Sequence, residues 1–482
     1  MGARTPGCGT VGHGVVLVVS LSRRLFLLAG SSSCRAREFA SDCDTRGVHV
    51  EQVSLRSWDR PLRWVDRAAL EASWRAFWTS RLLVLCTGVL AVLAFGRAAA
   101  WRGFDPMGLT TPSGYFGNLL AAPFARWDSV WYLTIARFGY GHQAARSAFF
   151  PLYPLLMRGL GSVIGSDLAA GVLISMAAFA VALLLLYRLA ALELDAELGR
   201  LTTLLIAFCP AAYCFSAVYS ESLFLALSVG CVWQARNGRW AWAGLLGGLG
   251  AAERASGLAL IVPLVLLHLY GPRLDRLPTH RASDTPWARR LVPRYRPTPA
   301  LAWILLVPAG LGAYLLGLTL SGGDGLAPFG AEHAWFRHFA GPFGGAWDGA
   351  VAAWDGLRQL LHGPPPPLYF PQAGGNALSV AGENLMLFAF LVLGAIALVG
   401  TLRRLPLAYG AYCLAALALP LSYPVRPQPL NSLPRYEVVL FPLFMWGAWW
   451  LRRRRLITPG IAALATLLGL FTAEFATWRF VA

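Results

Sequence analysis

The chain has 482 residues, of which 56% are hydrophobic and 13% are charged, and its formal net charge is +17. Soluble domains carry roughly 25% charged residues, so this composition excludes an ordinary soluble protein. It predicts an all-α polytopic membrane protein that is surrounded by membrane lipids. All 41 basic residues are arginine and stand mostly in short segments between apolar spans, which argues against a nucleic-acid partner.

Residues 1–75 precede the first strong apolar span, and we predict that they form a partly disordered cytoplasmic extension. The apolar stretch 15–30 contains Arg23 and Arg24 and is too short to cross a bilayer. It indicates either a poor signal segment or a start assigned too far upstream. Residues 76–482 are predicted to form one transmembrane domain.

A membrane-spanning helix needs about 20 mainly apolar residues, and about eleven segments meet this requirement. The candidates lie at 80–99, 167–188, 200–218, 220–235, 239–253, 255–271, 300–320, 380–400, 404–422, 436–451 and 455–475. Arginines concentrate in every second loop, and the positive-inside rule places these loops in the cytoplasm. The opposite, outer face then receives the two longest loops, 100–166 and 321–379.

The first outer loop carries one carboxylate in an aromatic segment. Residues 127–138 have a helical spacing that places Asp128, Trp131 and Tyr132 on one face, and Gly139 is expected to end this helix. The aromatic flanks predict a helix lying in the membrane interface. Asp128 is therefore either a catalytic acid or base, or an incidental residue of an interfacial anchor.

Three further charged residues are predicted at the outer ends of spans. Glu221 and Arg254 stand at hairpin tips, where an ionisable residue is costly and is usually paired or functional. Arg435 lies on the outer side against the general arginine trend, and its guanidinium group suits phosphate oxygens. The alternatives are a helix N-terminal charge for Glu221, a structural pair of Glu253 with Arg254, and a snorkelling role for Arg435.

The second outer loop is rich in Trp, Phe, Gly and Pro. The triplet Trp-Asp-Gly begins at Trp347 and again at Trp354, which predicts one or two amphipathic helices on the outer membrane surface. A rigid proline spacer follows at 364–367. We interpret the loop as a cover for the site, with Asp348 and Asp355 as weaker catalytic candidates.

Six blocks in this order resemble the PIG-V-type mannosyltransferases, the family of the second GPI mannosyltransferase of eukaryotes and of many bacterial relatives. The blocks are Trp127-Asp128 with Trp131-Tyr132, Gly139-Tyr140, Ala148-Phe149-Phe150-Pro151-Leu152-Tyr153-Pro154, Tyr219-Ser220-Glu221-Ser222-Leu223-Phe224, Glu253-Arg254-Ala255-Ser256-Gly257 and Pro434-Arg435-Tyr436. The family pattern usually carries Thr where this chain has Glu253. The resemblance implies a C-type glycosyltransferase fold and the transfer of mannose from polyprenyl-phosphate mannose, on the outer or luminal face, to a glycan, glycolipid or protein acceptor.

Such a transfer needs a base for the acceptor hydroxyl and cations for the departing phosphate, which is already a weakly basic leaving group. Asp128 is the predicted base, and Glu221 is predicted to orient the acceptor or to position a metal. The sequence shows no metal-ligand spacing and leaves the use of a divalent metal open. Phosphate binding is predicted for Arg254, Arg435 and Arg126, and sugar or lipid contacts for Trp131, Tyr132, Tyr153 and Tyr436.

Two other classes of protein fit the hydropathy pattern. One is a polytopic transporter or flippase of lipid-linked sugars, which would carry charges midway along several spans. The other is a non-catalytic subunit of a glycosylation complex. The arginine-only composition indicates a bacterial chain, hence a plasma-membrane location, whereas a eukaryotic chain of this kind would lie in the endoplasmic reticulum membrane.

Overall fold

The computed structural model describes residues 67–98, 101–112, 114–141, 143–278, 293–363, 377–425 and 428–479. Most of the predicted extension and the proline spacer at 364–367 lie outside the described residues. Regular structure in the described part is helical, and a single isolated bridge pairs Arg337 with Val425. The expectation of an all-α polytopic membrane protein is therefore confirmed for this part of the chain.

The described residues of the first half form ten α-helices, and the first of these has 29 residues. They are α1 (Arg67–Phe95), α2 (Trp101–Phe104), α3 (Tyr115–Ala121), α4 (Ser129–Phe138), α5 (Leu152–Ile164), α6 (Asp167–Glu193), α7 (Ala196–Phe208), α8 (Glu221–Arg236), α9 (Trp240–Glu253) and α10 (Ile261–Tyr270). Short 3₁₀ helices lie between them, at Ala122–Phe124, Ala144–Ala148, Pro210–Phe215 and Ala255–Leu260.

The described residues of the second half contribute eight more helices. They are α11 (Leu306–Leu320), α12 (Ala327–Ala334), α13 (Gly344–His362), α14 (Ala377–Arg404), α15 (Leu407–Ser422), α16 (Leu433–Val438), α17 (Phe441–Arg454) and α18 (Ile457–Ala476). A 3₁₀ helix at Pro299–Leu305 leads into α11.

Among the described residues, five helices are long and apolar enough to cross a membrane. They are Arg67–Phe95, Asp167–Glu193, Pro299–Leu320, Leu378–Arg404 and Ile457–Ala476. The predicted number of eleven spans is not confirmed. Between residues 196 and 270 the helices have 10 to 16 residues, hence about 15–24 Å, and the segment predicted as a span at 200–218 breaks after Phe208. The first helix also begins at Arg67, well before residue 80.

Local sequence explains several of these boundaries. Gly165, at φ 80°, ends α5, and Ser166 caps α6 by accepting a hydrogen bond from the Ala169 amide. Asp195 caps α7 in the same way through the Leu198 amide at 2.8 Å. These are the residue types that helix ends prefer, because glycine tolerates positive φ and a short polar side chain reaches free amides. The short turns therefore keep α5 close to α6, and α6 close to α7.

Arg81 corrects an expectation about the first span. The predicted span at 80–99 places Arg81 at the edge of the membrane-spanning segment, whereas the structure buries it inside α1 with 3% of its surface exposed. Its guanidinium group donates to the carbonyls of Ala207 and Ala212, at 3.1 and 2.8 Å. Because these carbonyls lie where α7 breaks, Arg81 satisfies backbone groups that a buried helix end would otherwise leave unpaired.

The loops predicted to be cytoplasmic meet at one end of the helices. Glu193, near the end of α6, pairs with Arg236 of α8 and accepts a hydrogen bond from Tyr409 at the start of α15, at 2.8 Å. Asp195 pairs with Arg452 of α17 at 2.8 Å. The opposite ends of α8 and α9 carry Glu221 and the segment that follows Glu253, so the candidate site lies away from the arginine-rich loops.

Candidate active site

Four charged side chains from distant parts of the chain meet at this second end. Asp128 immediately precedes α4, and Glu221 is the first residue of α8. Arg254 follows α9 in an extended conformation, and Arg435 lies in the short helix α16. We call these four residues the ionic cluster. The predicted gathering of an acid with guanidinium groups therefore occurs in the structure.

Arg435 is the centre of the ionic cluster. Its Nη1 donates to Asp128 Oδ2 at 2.6 Å, while Nη2 and Nε both donate to Glu221 Oε1, at 2.9 and 3.1 Å. Charge-assisted bonds of this kind are shorter and stronger than bonds between neutral groups. One guanidinium group thus fixes two carboxylates that are 93 residues apart in the sequence.

Arg254 completes the cluster from the other side of Glu221. Its Nη1 lies 3.3 Å from Glu221 Oε1, and the Glu221 side chain is completely buried. Two guanidinium groups therefore share one carboxylate oxygen, and two cations balance two anions. Asp128 is the most accessible member, with 28% of its side chain exposed, against 11% for Arg435 and 13% for Arg254.

The neighbouring carboxylates decide the charge of Arg435. Burial by itself would lower the pKa of this guanidinium group, but Glu221 and Asp128 raise the pKa well above its ordinary value. Arg435 therefore stays positively charged at any physiological pH. A buried ion pair of this kind is compensated only when geometry is good and the remaining polar atoms are satisfied, and the three short bonds of Arg435 meet the first condition.

An unusual backbone conformation positions Asp128. Trp127 adopts φ 52°, which is uncommon for a bulky residue, and its ring packs on Phe104 and Trp478 at centroid distances of 4.8 and 5.5 Å. Asp128 precedes α4 without bonding its own helix through the side chain. Its carboxylate is therefore left for Arg435. The predicted helix consequently starts at Ser129 instead of residue 127.

Helix α4 is also more enclosed than an interfacial anchor would be. Seven of its ten residues are buried, among them Tyr132 and Ile135. The aromatic flanks that predicted a surface position contact other parts of the protein: Trp131 stacks on Phe149 at 5.8 Å and meets Trp335 at 5.3 Å. Protein, and not only lipid, covers this helix.

Aromatic rings line the two arginines. The guanidinium carbon of Arg435 lies 4.4 Å from the ring centroid of Tyr219, and that of Arg254 lies 5.7 Å from the centroids of Phe224 and Tyr436. Such contacts stabilise a cation over a ring face. Of the predicted sugar or lipid contacts, Tyr436 therefore touches the cluster directly.

The other predicted contact residues lie around the cluster or behind it. Tyr132 donates its hydroxyl to Ser220, next to Glu221, at 2.9 Å. Trp131 lies on the same helix as Tyr132 and is half-buried beside Phe149. Tyr153 is fully buried, and its hydroxyl bonds to the Gly171 carbonyl at 2.8 Å and to Ser175. Its position gives Tyr153 a packing role against α6.

Arg126 does not join the ionic cluster in this structure. It is 1% exposed, and its Nε donates to the Ala476 carbonyl at the end of α18, at 3.0 Å. Its guanidinium carbon lies 5.3 Å from the Trp478 ring centroid. A cation at a helix C-terminus satisfies free carbonyls and the helix dipole. Arg126 therefore has a structural partner that the sequence could not indicate.

Helix α13 bears the repeated Trp-Asp-Gly triplets. Trp347 and Trp354 are exposed, at 74% and 61%, while Gly349 and Gly356 are buried against neighbouring residues. This amphipathic helix agrees with the prediction for the loop. Asp355 is exposed and Asp348 is half-buried, and the ion pairs of the described residues connect neither to the cluster.

Two residues at the site were not predicted as site residues from the sequence. The ring of Tyr219 packs against the guanidinium group of Arg435, and Ser220 accepts a hydrogen bond from the Tyr132 hydroxyl. Both belong to the block that contains Glu221, so their adjacency to a candidate acid was the available signal. Among the described residues, no group of three or more His, Cys, Asp or Glu side chains is arranged to hold a metal ion.

These observations define the class of the protein: an integral membrane protein of many helices with a buried, charge-balanced cluster at one end. Residues 77–271 match the family model described as mannosyltransferase (PIG-V), so this part of the chain is similar to that family. The matched stretch contains Asp128, Glu221 and Arg254. The family supports glycosyltransferase activity and thus favours an enzyme over a transporter.

Two further comparisons complete this result. The chain is similar to a crystal structure of the oligosaccharyltransferase of Archaeoglobus fulgidus tethered with an acceptor peptide, at 13% sequence identity and a TM-score of 0.42. The similarity covers 85% of this chain and 56% of that one, so the chain spans little more than half the length of that protein. No curated protein matches the chain.

Proposed function

We propose that the protein transfers mannose from a polyprenyl-phosphate mannose donor to a hydroxyl group of a glycan, glycolipid or protein acceptor, within a C-type glycosyltransferase fold. The observation that carries this proposal is the ionic cluster, in which Arg435 bonds both Asp128 and Glu221. It offers one accessible carboxylate and two guanidinium groups within reach of one another. These are the groups that such a reaction requires.

In the proposed reaction, the acceptor oxygen attacks C1 of mannose while the bond from C1 to the phosphate oxygen breaks. The acceptor proton passes to Asp128, and the bonding electron pair leaves with the polyprenyl phosphate. The leaving phosphate gains one negative charge, which Arg254 and Arg435 stabilise. A single displacement of this kind inverts the configuration at C1.

The pairing of Asp128 with Arg435 has a consequence for the order of events. The hydrogen bond from the guanidinium group, at 2.6 Å, occupies one oxygen of the Asp128 carboxylate. A donor phosphate that binds Arg435 competes with Asp128 for the same N–H group. Donor binding would therefore free Asp128 to accept the acceptor proton.

Glu221 has a different role in this proposal. It is buried, accepts hydrogen bonds from Arg435 and forms an ion pair with Arg254, so it holds the two arginines together against their mutual repulsion. Its contacts support the positioning of the phosphate-binding groups more than direct orientation of the acceptor. The proposal includes no metal step.

The location of the cluster supports action at the outer face. Glu221 begins α8 at one end, while Arg236 ends α8 near the arginine-rich loops. Since arginine-rich loops stay in the cytoplasm, the cluster would lie on the outer side of the bacterial plasma membrane. Helix α13, with its exposed tryptophans, is proposed to lie on the outer membrane surface as a cover.

The test is a transfer assay with the purified full chain in detergent. Polyprenyl-phosphate mannose is supplied with candidate glycan, glycolipid and peptide acceptors, and the products are analysed by mass spectrometry. We expect a mannosylated acceptor and an equal amount of released polyprenyl phosphate. Intact, folded protein that consumes no donor with any acceptor would favour a flippase or a non-catalytic subunit instead.

A further inference from the structure

Glu253 is a buried acid that the mechanism above does not use. It is the last residue of α9 and is 1% exposed. Neither carboxylate oxygen has a hydrogen-bond partner among the described residues. The backbone amide of Tyr153 attracts the carboxylate but does not reach hydrogen-bond geometry. A buried acceptor without a donor is costly.

The surrounding hydroxyl groups cannot supply the missing donor, because each is already bonded elsewhere. Glu253 interacts electrostatically with Tyr132, Tyr140 and Tyr153. Tyr132 donates to Ser220, and Tyr140 donates to the Phe149 carbonyl at 2.7 Å. Tyr153 donates to the Gly171 carbonyl. The protein therefore presents an acceptor pair that its own tyrosines leave unsatisfied.

The position of Glu253 suggests what would satisfy it. The residue directly precedes Arg254, which pairs with Glu221 in the ionic cluster. Under the proposed function, Arg254 holds the donor phosphate, and the transferred sugar is bonded to that phosphate. A sugar hydroxyl is a hydrogen-bond donor of the right size to approach a carboxylate beside the phosphate-binding group.

We propose that Glu253 binds a hydroxyl group of the donor sugar and thereby determines which sugar is transferred. This inference rests on the proposed function. A site built to bond a hydroxyl group rejects an analogue that lacks it, because the buried acceptor is then left unpaired. Glu253 is thus a specificity residue, and it adds to the binding site a contact that the ionic cluster cannot provide.

The test compares donors that lack one hydroxyl group each. Polyprenyl-phosphate mannose and its analogues deoxygenated at C2, C3, C4 or C6 are assayed with the wild-type protein, Glu253→Thr and Glu253→Gln. For one analogue, we expect the wild-type kcat/KM to fall about tenfold or more. The Glu253→Thr variant should lose this preference, so that its kcat/KM values for the two donors agree within about twofold.

Glu253→Gln keeps the length and one acceptor oxygen of the side chain, so it should retain part of the preference. It also keeps the test valid if the shorter Glu253→Thr variant fails to fold. A parallel series of deoxygenated acceptors locates the hydroxyl group. The proposal is overturned if both folded variants discriminate among donors as the wild type does, which is the result expected if buried water satisfies Glu253. It is also overturned if only acceptor discrimination changes. Wild-type transfer of mannose itself is measured first, so failure of the proposed function would be recognised separately.

Discussion

Replacing Asp128 with asparagine is expected to reduce mannose transfer by about 10²- to 10⁴-fold, the usual contribution of a general base. The asparagine oxygen can still accept a hydrogen bond from Arg435, but it cannot take the acceptor proton. The amount of folded protein and its thermal midpoint should stay near the wild-type values. The measurement is kcat/KM with a polyprenyl-phosphate mannose donor, using purified protein.

Asp355→Asn is the matched control for this substitution. Asp355 undergoes the same chemical change but is exposed on α13, and it takes no part in the ion pairs of the cluster. Its transfer rate should stay within about twofold of wild type, as surface substitutions rarely perturb a site. Transfer by Asp128→Asn at the wild-type rate would remove this carboxylate from the role of base.

Replacing Glu221 with alanine is expected to lower the free energy of unfolding by about 3–5 kcal/mol, as for other broken buried ion pairs. Glu221 Oε1 bonds Arg435 at 2.9 and 3.1 Å and pairs with Arg254 at 3.3 Å. Its removal leaves two neighbouring cations with Asp128 as their remaining acidic partner in the cluster. Denaturant unfolding of the purified protein in detergent measures the change.

Glu332→Ala provides the comparison for stability. Glu332 pairs with Arg337 at 3.6 Å, and its side chain is 36% exposed. Pairs that water can screen contribute about 0–1 kcal/mol, so this variant should unfold nearly as the wild type does. Equal losses in the two variants would mean that Glu221 is no more important than an ordinary surface acid.

The sequence predicted the members of the ionic cluster but not its contacts. Asp128, Glu221, Arg254 and Arg435 could be selected because a charge at the end of an apolar span is costly and so needs a reason. Their pairing depends on Arg435 reaching two carboxylates at once. No spacing in the sequence encodes a contact between residues 307 positions apart.

The same limit explains the assignments that the structure did not support. Arg126 stands beside Asp128 in the sequence, yet it bonds the Ala476 carbonyl, 350 positions away. Arg81 stands at the start of the span predicted at 80–99, but the break after Phe208 supplies buried carbonyls for it. Charge type alone does not reveal which backbone groups a fold leaves unpaired.

Helix lengths account for the uncertainty in the number of spans. Hydropathy marks both 27 residues at Asp167–Glu193 and 16 residues at Glu221–Arg236 as apolar. Only the first is long enough to cross about 30 Å of hydrocarbon as a straight helix. Apolar composition reports burial in lipid or protein, and it cannot distinguish a full span from a helix that ends inside the protein.

A structure of the protein bound to a donor analogue would test the central claim most directly. A phosphonate in which a methylene group replaces the oxygen between mannose and phosphorus cannot be transferred, so the complex should be stable enough for electron cryomicroscopy. We expect the phosphonate oxygens within hydrogen-bond distance of Arg435 and Arg254, with Asp128 no longer bonded to Arg435. A phosphonate bound at the arginine-rich end, or an undisturbed Asp128–Arg435 pair with donor bound elsewhere, would contradict the account.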